Sequence, residues 1–262
     1  MELGLAGKRA IVTGGSRGIG RSCALELAKE GANVVIVGRD EALLAGVLAE
    51  VRALGVKGAA VAADLSTAEG CATAVDACVE AFGGVDILIN NAGAATMQPI
   101  LGLPIEVIDD ALRLKTYGYL RMAQISIPHM QRQGWGRIVN IAGGAGTSPS
   151  AGNIPTSLAN AGVLNITRAL SDAVSKDGIL VNTICPGMTN TDRARTLARG
   201  QAQRRGVDIE EVVAEMGKAV PAGRIAEPEE IARVAVFLAS EACSYVHGSS
   251  VYMDGGGRRA TP

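Results

Sequence analysis

Aromatic side chains are scarce in this 262-residue chain, with two Phe, four Tyr and one Trp making up 3% of it, so its core must be built from Ala, Val, Leu and Ile. Histidine is rarer still. His129 and His247 lie far apart in sequence, and no metal site is expected from them. The five cysteines (Cys23, Cys71, Cys78, Cys185, Cys243) are odd in number and never fall in CxxC spacing. They read as reduced, mostly buried thiols, not as a disulfide framework. Net charge is −1, which gives no global attraction to nucleic acid or an anionic membrane. No apolar run approaches the ~18 residues of a membrane span. The opening MELGLAGKRAIVTGG has no basic region followed by a long apolar stretch, so no signal peptide is expected and the location is read as cytoplasmic.

What is present is apolar and rich in glycine: 48% hydrophobic residues, 19% charged, and 34 glycines. Short apolar runs at 9–15, 33–39, 58–66, 85–93, 136–144, 179–187 and 249–256 alternate with amphipathic stretches. The runs are continuous, as strands buried on both faces of a parallel sheet should be. In EALLAGVLAEVRALG, Leu44, Val47, Leu48, Val51 and Leu54 recur at helical spacing and Gly55 supplies a C-terminal stop. Strand and helix alternating this way predict an α/β fold: one doubly wound Rossmann-type domain with a central parallel sheet, spanning 1–262.

TGGSRGIG (13–20) lies between the first strand and the first helix. There Gly14 permits a sharp turn, Gly18 lets backbone approach a phosphate, and Gly20 lets helix and strand pack closely. The helix start then offers free N–H groups to a pyrophosphate. At the end of the second strand stand Gly38 and Arg39 where a carboxylate would select an unphosphorylated ribose. With Arg17, this charge pattern favours NADP(H) over NAD(H); the alternative is two solvated surface arginines.

The spacing TGxxxGxG, together with ADLS around Asp64, NNAG (90–93), NTICPGMTNT (182–191), GRIAEPEEIARVAVFLAS and VHGSSVYMDGG, resembles the short-chain dehydrogenases/reductases over about residues 5–257. The resemblance implies a nicotinamide dinucleotide held by Gly14, Ser16, Arg17, Gly18, Ile19 and Gly20, by Arg39, by Asp64 and Leu65, by Asn91, Ala92 and Gly93, and by Pro186, Gly187 and Thr189. It also implies four catalytic positions, namely an Asn, a Ser, and the Tyr and Lys of YxxxK. In register with the flanking residues these are occupied by Lys115, Gly143, Thr156 and Asn160. All four differ from the family's pattern.

A positioned general acid supplies about 10²–10⁴-fold, and a threonine hydroxyl is a poor replacement for a phenol. Lys115 shares a helical face with Leu112, Tyr119 and Met122. It is the candidate for the lost positive charge and, if desolvated, for the acid; the alternative is a stem that packs while its head reaches solvent. Thr156 and Ser157 could bind a ligand or cap the following helix. Tyr117 and Tyr119 offer phenols, Tyr119 on the inward face, and Ser148 and Ser150 lie in a loop of small residues.

The segment 190–222 falls where the family carries its substrate lid. Arg193, Arg195, Arg199, Arg204 and Arg205 make it locally basic, which suits an anionic substrate or a solvated helix face, since Glu210, Glu211 and Glu215 follow. Two functions stay open: an oxidoreductase with a rebuilt centre acting on an unknown carbonyl or alcohol, or an inactive nucleotide-binding subunit that partners an active homologue. A different reaction on the same scaffold is a third, smaller alternative. A homodimer or homotetramer is expected, or a hetero-oligomer under the second reading.

Overall fold

The computed structural model describes residues 2–93 and 98–259, so the extreme ends of the 1–262 domain lie outside the described residues. Seven strands form one parallel sheet: β1 (Arg9–Thr13), β2 (Asn33–Gly38), β3 (Gly58–Ala62), β4 (Ile87–Asn90), β5 (Gly136–Ile141), β6 (Ile179–Pro186) and β7 (Ser250–Met253). Their spatial order is β3-β2-β1-β4-β5-β6-β7. The chain runs outward from β1 to β3, then crosses to β4 and runs outward the other way. The reversal lies between β1 and β4, where doubly wound sheets open a crevice at the carboxyl ends of the strands.

The strands are short because Gly, Pro or polar residues stop the apolar runs, and β1, β2, β4 and β5 are almost wholly buried. One face is covered by α1 (Gly18–Lys29), α2 (Glu41–Ala53) and α9 (Pro228–Leu238). The other is covered by α3 (Ala68–Phe82), α5 (Gly118–Gln131) and α6 (Ile154–Val174). Leu44, Val47 and Val51 of α2 pack inward as their spacing predicts, whereas Leu54 ends outside. Gly55, at φ 84°, terminates that helix.

Two features depart from the simple alternation. α4 (Ile105–Ala111) runs into α5 through a π-helical turn, Leu112–Tyr117, which contains Lys115. Segment 190–222 folds as two helices, α7 (Asp192–Arg205) and α8 (Ile209–Lys218), with a small core of Ala198, Ala202 and Val212.

A buried polar ladder ties the middle of the sheet to α6. Asn90 Nδ2 donates to Asn140 Oδ1 (2.9 Å), Asn140 Nδ2 to Thr167 Oγ1 (2.9 Å), and Thr167 shares a hydroxyl contact with Thr183 (2.6 Å). Buried hydrogen-bond chains of this kind hold neighbouring strands and a helix in one arrangement, although Asn90 Oδ1 itself has no partner among the described residues. Here they fix the carboxyl ends of β4, β5 and β6, from which the site projects.

Candidate active site

The glycine loop sits over β1 with its glycines in tight places. Gly14 has φ 62°, and a Cβ there would meet Asn91 Nδ2 at 2.9 Å and Ala92 Cα at 3.0 Å. At Gly20 a Cβ would run into the carbonyl oxygen of Gly14, so helix and strand could not approach as they do. Gly18, at φ 53°, faces Thr191 at the start of α7. The loop is braced from β4. Asn91 Nδ2 donates to the carbonyls of Thr13 (3.1 Å) and Gly14 (3.2 Å), and Thr13 Oγ1 accepts from the amides of Asn91 (2.8 Å) and Ala92 (3.1 Å).

The start of α1 has no side-chain cap, although Asp40, Thr67, Thr191 and Asp208 cap α2, α3, α7 and α8. Its first amides are therefore available to an anion. Beside them opens a cleft of about 420 Å³ whose lining includes Ser16, Arg17, Gly18, Arg21 and Asp192. Ile19 packs partly into the core behind the loop. Arg17 and Arg39 are both exposed, and Arg39 lies close enough to Asp64 to help hold that carboxyl below its usual range, after the larger effect of the Ser66 amide. Leu65 is buried. Across the crevice, Gly187 donates its N–H to the Met253 carbonyl, and Thr189 Oγ1 donates to the Gly187 carbonyl at 3.2 Å.

The four positions at the centre come together at the ends of β4 and β5. Lys115 Nζ donates to the Ala142 carbonyl at 2.9 Å and lies 5.9 Å from the centre of the Tyr119 ring. A Cβ on Gly93 would touch its Cδ (3.6 Å) and Nζ (3.8 Å). The head therefore turns into the crevice, not out to solvent. Burial pushes the Lys115 pKa down to about 8, helped by repulsion from Arg193 in α7 and opposed weakly by Cys185.

Next to Ala142, a Cβ on Gly143 would lie 3.0 Å from Asn160 Nδ2. Asn160 is buried, and Asn160 Oδ1 and Thr156 Oγ1 are both enclosed without a hydrogen-bond partner. Such atoms are uncommon in a folded chain. These two stand at neighbouring turns of α6, on the side facing Gly143.

The remaining phenols and hydroxyls have other partners. Tyr119 Oη donates to the Ile141 carbonyl at 3.1 Å, and burial alone raises its pKa far above the ordinary phenol range. Tyr117 is exposed. Thr156 and Ser157 are not caps: α6 begins earlier, at Ile154 after Asn153, with a proline in its first turn, and Ser157 Oγ bonds back to Asn153. Ser150 donates its amide to Asn153 Oδ1 in the turn before that helix, and Ser148 is an exposed loop residue.

Two of the five arginines in segment 190–222 are neutralised within it. Arg195 pairs with Glu210 (2.8 Å) and Arg205 with Glu215 (2.6 Å) across α7 and α8. Sequence reasoning did not single out Arg193 from its neighbours. Its place at the second position of α7, two residues before Arg195, was visible only once the helix start after Thr191 was known. Among the described residues no cluster of His, Cys, Asp and Glu could hold a metal ion, and no helix is long and apolar enough to cross a membrane.

The sequence profile described as enoyl-(acyl carrier protein) reductase matches residues 14–257. The chain is 33% identical over 257 residues to the 3-oxoacyl-[acyl-carrier-protein] reductase FabG of Aquifex aeolicus, covering 98% of this chain and 99% of that one. It is 35% identical over 247 residues to the short-chain reductase protein NovJ of Streptomyces niveus, covering 94% and 92%. Among solved structures, L-sorbose reductase from Gluconobacter frateurii, complexed with NADPH and L-sorbose, superposes with a TM-score of 0.97 at 32% identity, over the full length of both chains.

Proposed function

The chain belongs to the short-chain dehydrogenase/reductase family, and from that premise we propose that it is an NADP(H)-dependent oxidoreductase whose reaction centre is rebuilt around Lys115. The observation that carries this reading is the Lys115 ammonium, turned towards the ends of β4 and β5 between Gly93 and Ala142 with a single backbone acceptor. A desolvated cation is expensive to keep in a protein that makes no use of it. That argument favours an active centre over an inert partner subunit.

The residues fit a nicotinamide dinucleotide. Gly14 and Gly20 leave no room for a Cβ, the start of α1 is uncapped, and the adjoining cleft is lined by Ser16 and Arg17. The end of β2 carries Gly38 and Arg39 and no carboxylate, and Ser16 Oγ would lie 3.5 Å from a Cβ on Gly38. We assign the preference for NADP(H) to Arg17 and Arg39, which suit a 2′-phosphate dianion. Asn91, Ala92, Gly93, Pro186, Gly187 and Thr189 would hold the nicotinamide half. L-sorbose reductase, similar in fold and sequence, was crystallised with NADPH.

When bound, NADPH supplies a hydride to a carbonyl carbon. The chain must then deliver a proton to the carbonyl oxygen. Lys115 holds one at Nζ, and its lowered pKa of about 8 makes it a stronger acid than an ordinary lysine while leaving it mostly protonated at neutral pH. Asn160 packs against Gly143, with Thr156 one turn earlier on α6, so these two shape the wall of the centre. In the oxidative direction the neutral amine of Lys115 takes the proton from the alcohol.

The reading places the enzyme in the cytoplasm as a homodimer or homotetramer, with α7 and α8 as the substrate lid. The edge strand β7, paired on one side only by β6, suits association between copies. The test is a fluorescence titration with NADPH and NADH, followed by a carbonyl screen on wild type and Lys115→Met. Tighter binding of NADPH, and turnover abolished by Lys115→Met, are expected. Turnover unchanged in Lys115→Met would remove Lys115 from the mechanism.

A further inference from the structure

An ammonium carries three protons and needs acceptors or a counter-charge when it is desolvated. Lys115 donates to one acceptor, the Ala142 carbonyl. None of the ion pairs among the described residues includes it. The charge that acts on it most strongly is another cation, Arg193.

Beyond the 142–143 peptide lie the enclosed, unpartnered Asn160 Oδ1 and Thr156 Oγ1. The centre thus offers Lys115 no counter-charge: the side chain packed against Gly143 is the neutral amide of Asn160. Of the five arginines of α7, Arg195 and Arg205 are occupied by glutamates. Lys115 is the cation that lies against the ends of β4 and β5, at the centre itself.

We infer that the substrate brings the missing counter-charge itself: a small 2-oxo or 3-oxo carboxylic acid, or the matching hydroxy acid, with its carboxylate on Lys115. This deepens the reductase reading and rests on it. With one ammonium proton on Ala142, two remain. One goes to a carboxylate oxygen and the other to the reacting carbonyl oxygen, which lie close together in such acids. A single side chain then recognises the anion and protonates the product. Removing the carboxylate leaves the desolvated cation unpaired, so discrimination against neutral analogues should be large.

The test measures binding, not turnover. Protein saturated with NADP⁺ is titrated calorimetrically with pyruvate and acetoacetate and with their methyl esters. The acids should bind at least about ten-fold tighter than the esters, and Lys115→Met should erase that preference. In wild type at pH 8.5–9, acid binding should also take up protons, seen as a dependence of the heat on buffer ionisation. This second readout does not depend on the variant folding.

Equal affinity for acids and esters, a preference that survives Lys115→Met, or no acid binding at millimolar concentration would each overturn the inference. If neutral ketones consume NADPH while acids and esters bind alike, the anion inference falls and the reductase reading stands. Acid-selective binding without hydride transfer supports the inference and removes the reductase reading.

Discussion

The side chain of Asn160 fills the space that a Cβ on Gly143 would need, with Nδ2 3.0 Å from the ideal Cβ position. Gly143 and Asn160 are therefore fitted to each other, on different elements: the turn after β5 and the second turn of α6. Gly146 makes the same kind of contact, its Cβ position lying 3.1 Å from Asn160 Cβ. The centre is a packed arrangement in which a side chain at 143 has to displace the Asn160 amide by a few tenths of an ångström.

Gly143→Ser alone should destabilise the protein by about 1–3 kcal/mol through overpacking. Asn160→Ala should remove most of that penalty, so a double-mutant cycle on urea denaturation midpoints should show coupling of about 0.5–3 kcal/mol. Additive effects would mean that the two positions are independent.

The fold was legible because most strands are short apolar runs alternating with amphipathic stretches, and because TGGSRGIG falls between the first strand and the first helix. The centre was legible in register but not in geometry. DDALRLKTYGYL reads as a regular 3.6-residue repeat, and nothing local announces the π-helical turn over Leu112–Tyr117. That turn depends on distant contacts: a Cβ on Gly118 would lie 2.8 Å from the Leu65 carbonyl oxygen, and Thr116 Oγ1 donates to the Ala159 carbonyl at 3.1 Å. π-turns of this kind recur at functional sites. The direction of Lys115 likewise depended on β5, whose Ala142 carbonyl is 27 positions away in sequence. The arginines of 190–222 read as uniformly basic because the glutamate partners of Arg195 and Arg205 lie on the next helix, and only the α7–α8 packing shows that these two are occupied.

Arg39 follows β2, where the ribose preference is set. Arg39→Asp should weaken NADPH binding by about ten-fold or more through lost charge-assisted bonding and added repulsion, while NADH binding is retained or improved. A parallel fluorescence titration with both dinucleotides reads this directly. An unchanged NADPH to NADH ratio would return Arg39 to the solvated surface.

Asp86, at the start of β4, is a buried carboxylate that accepts from the Arg9 amide and from Arg9 Nε, each at 2.7 Å, and from Gln133 Nε2 at 2.5 Å. Burial raises its pKa, but the Arg9 and Gln133 bonds together outweigh it and hold the group below the ordinary carboxylate range. A folded pKa below the unfolded one stabilises the protein above the unfolded value of about 3.9, and that stability is lost as pH falls through the folded value. Asp86→Asn should cost about 1–3 kcal/mol at neutral pH, and its deficit against wild type should shrink below about pH 4. A deficit that is constant from pH 7 to pH 3 would show that charge is not the cause.

Lys115 should show opposite effects on stability and catalysis. Its pKa falls from the usual 10.5 to about 8 in the folded chain, mainly through burial, so folding works against the protonated form. The full shift corresponds to about 3 kcal/mol at neutral pH, and the partial exposure of the residue reduces this to about 1–3 kcal/mol. The sign follows from linkage: between about pH 8 and 10.5 the unfolded chain binds more protons, so wild-type stability rises with pH across that window. Lys115→Met keeps the stem and removes the charge. It should raise the urea midpoint at pH 7 and lose that advantage as pH approaches 10.5. If Lys115 is the acid, carbonyl reduction by wild type should decline as pH rises through about 8, and alcohol oxidation should increase over the same range. A Lys115→Met protein that is more stable at pH 7 but inactive marks a group kept for chemistry at the expense of the fold. A protein that is less stable and equally active would mean that Lys115 serves packing alone.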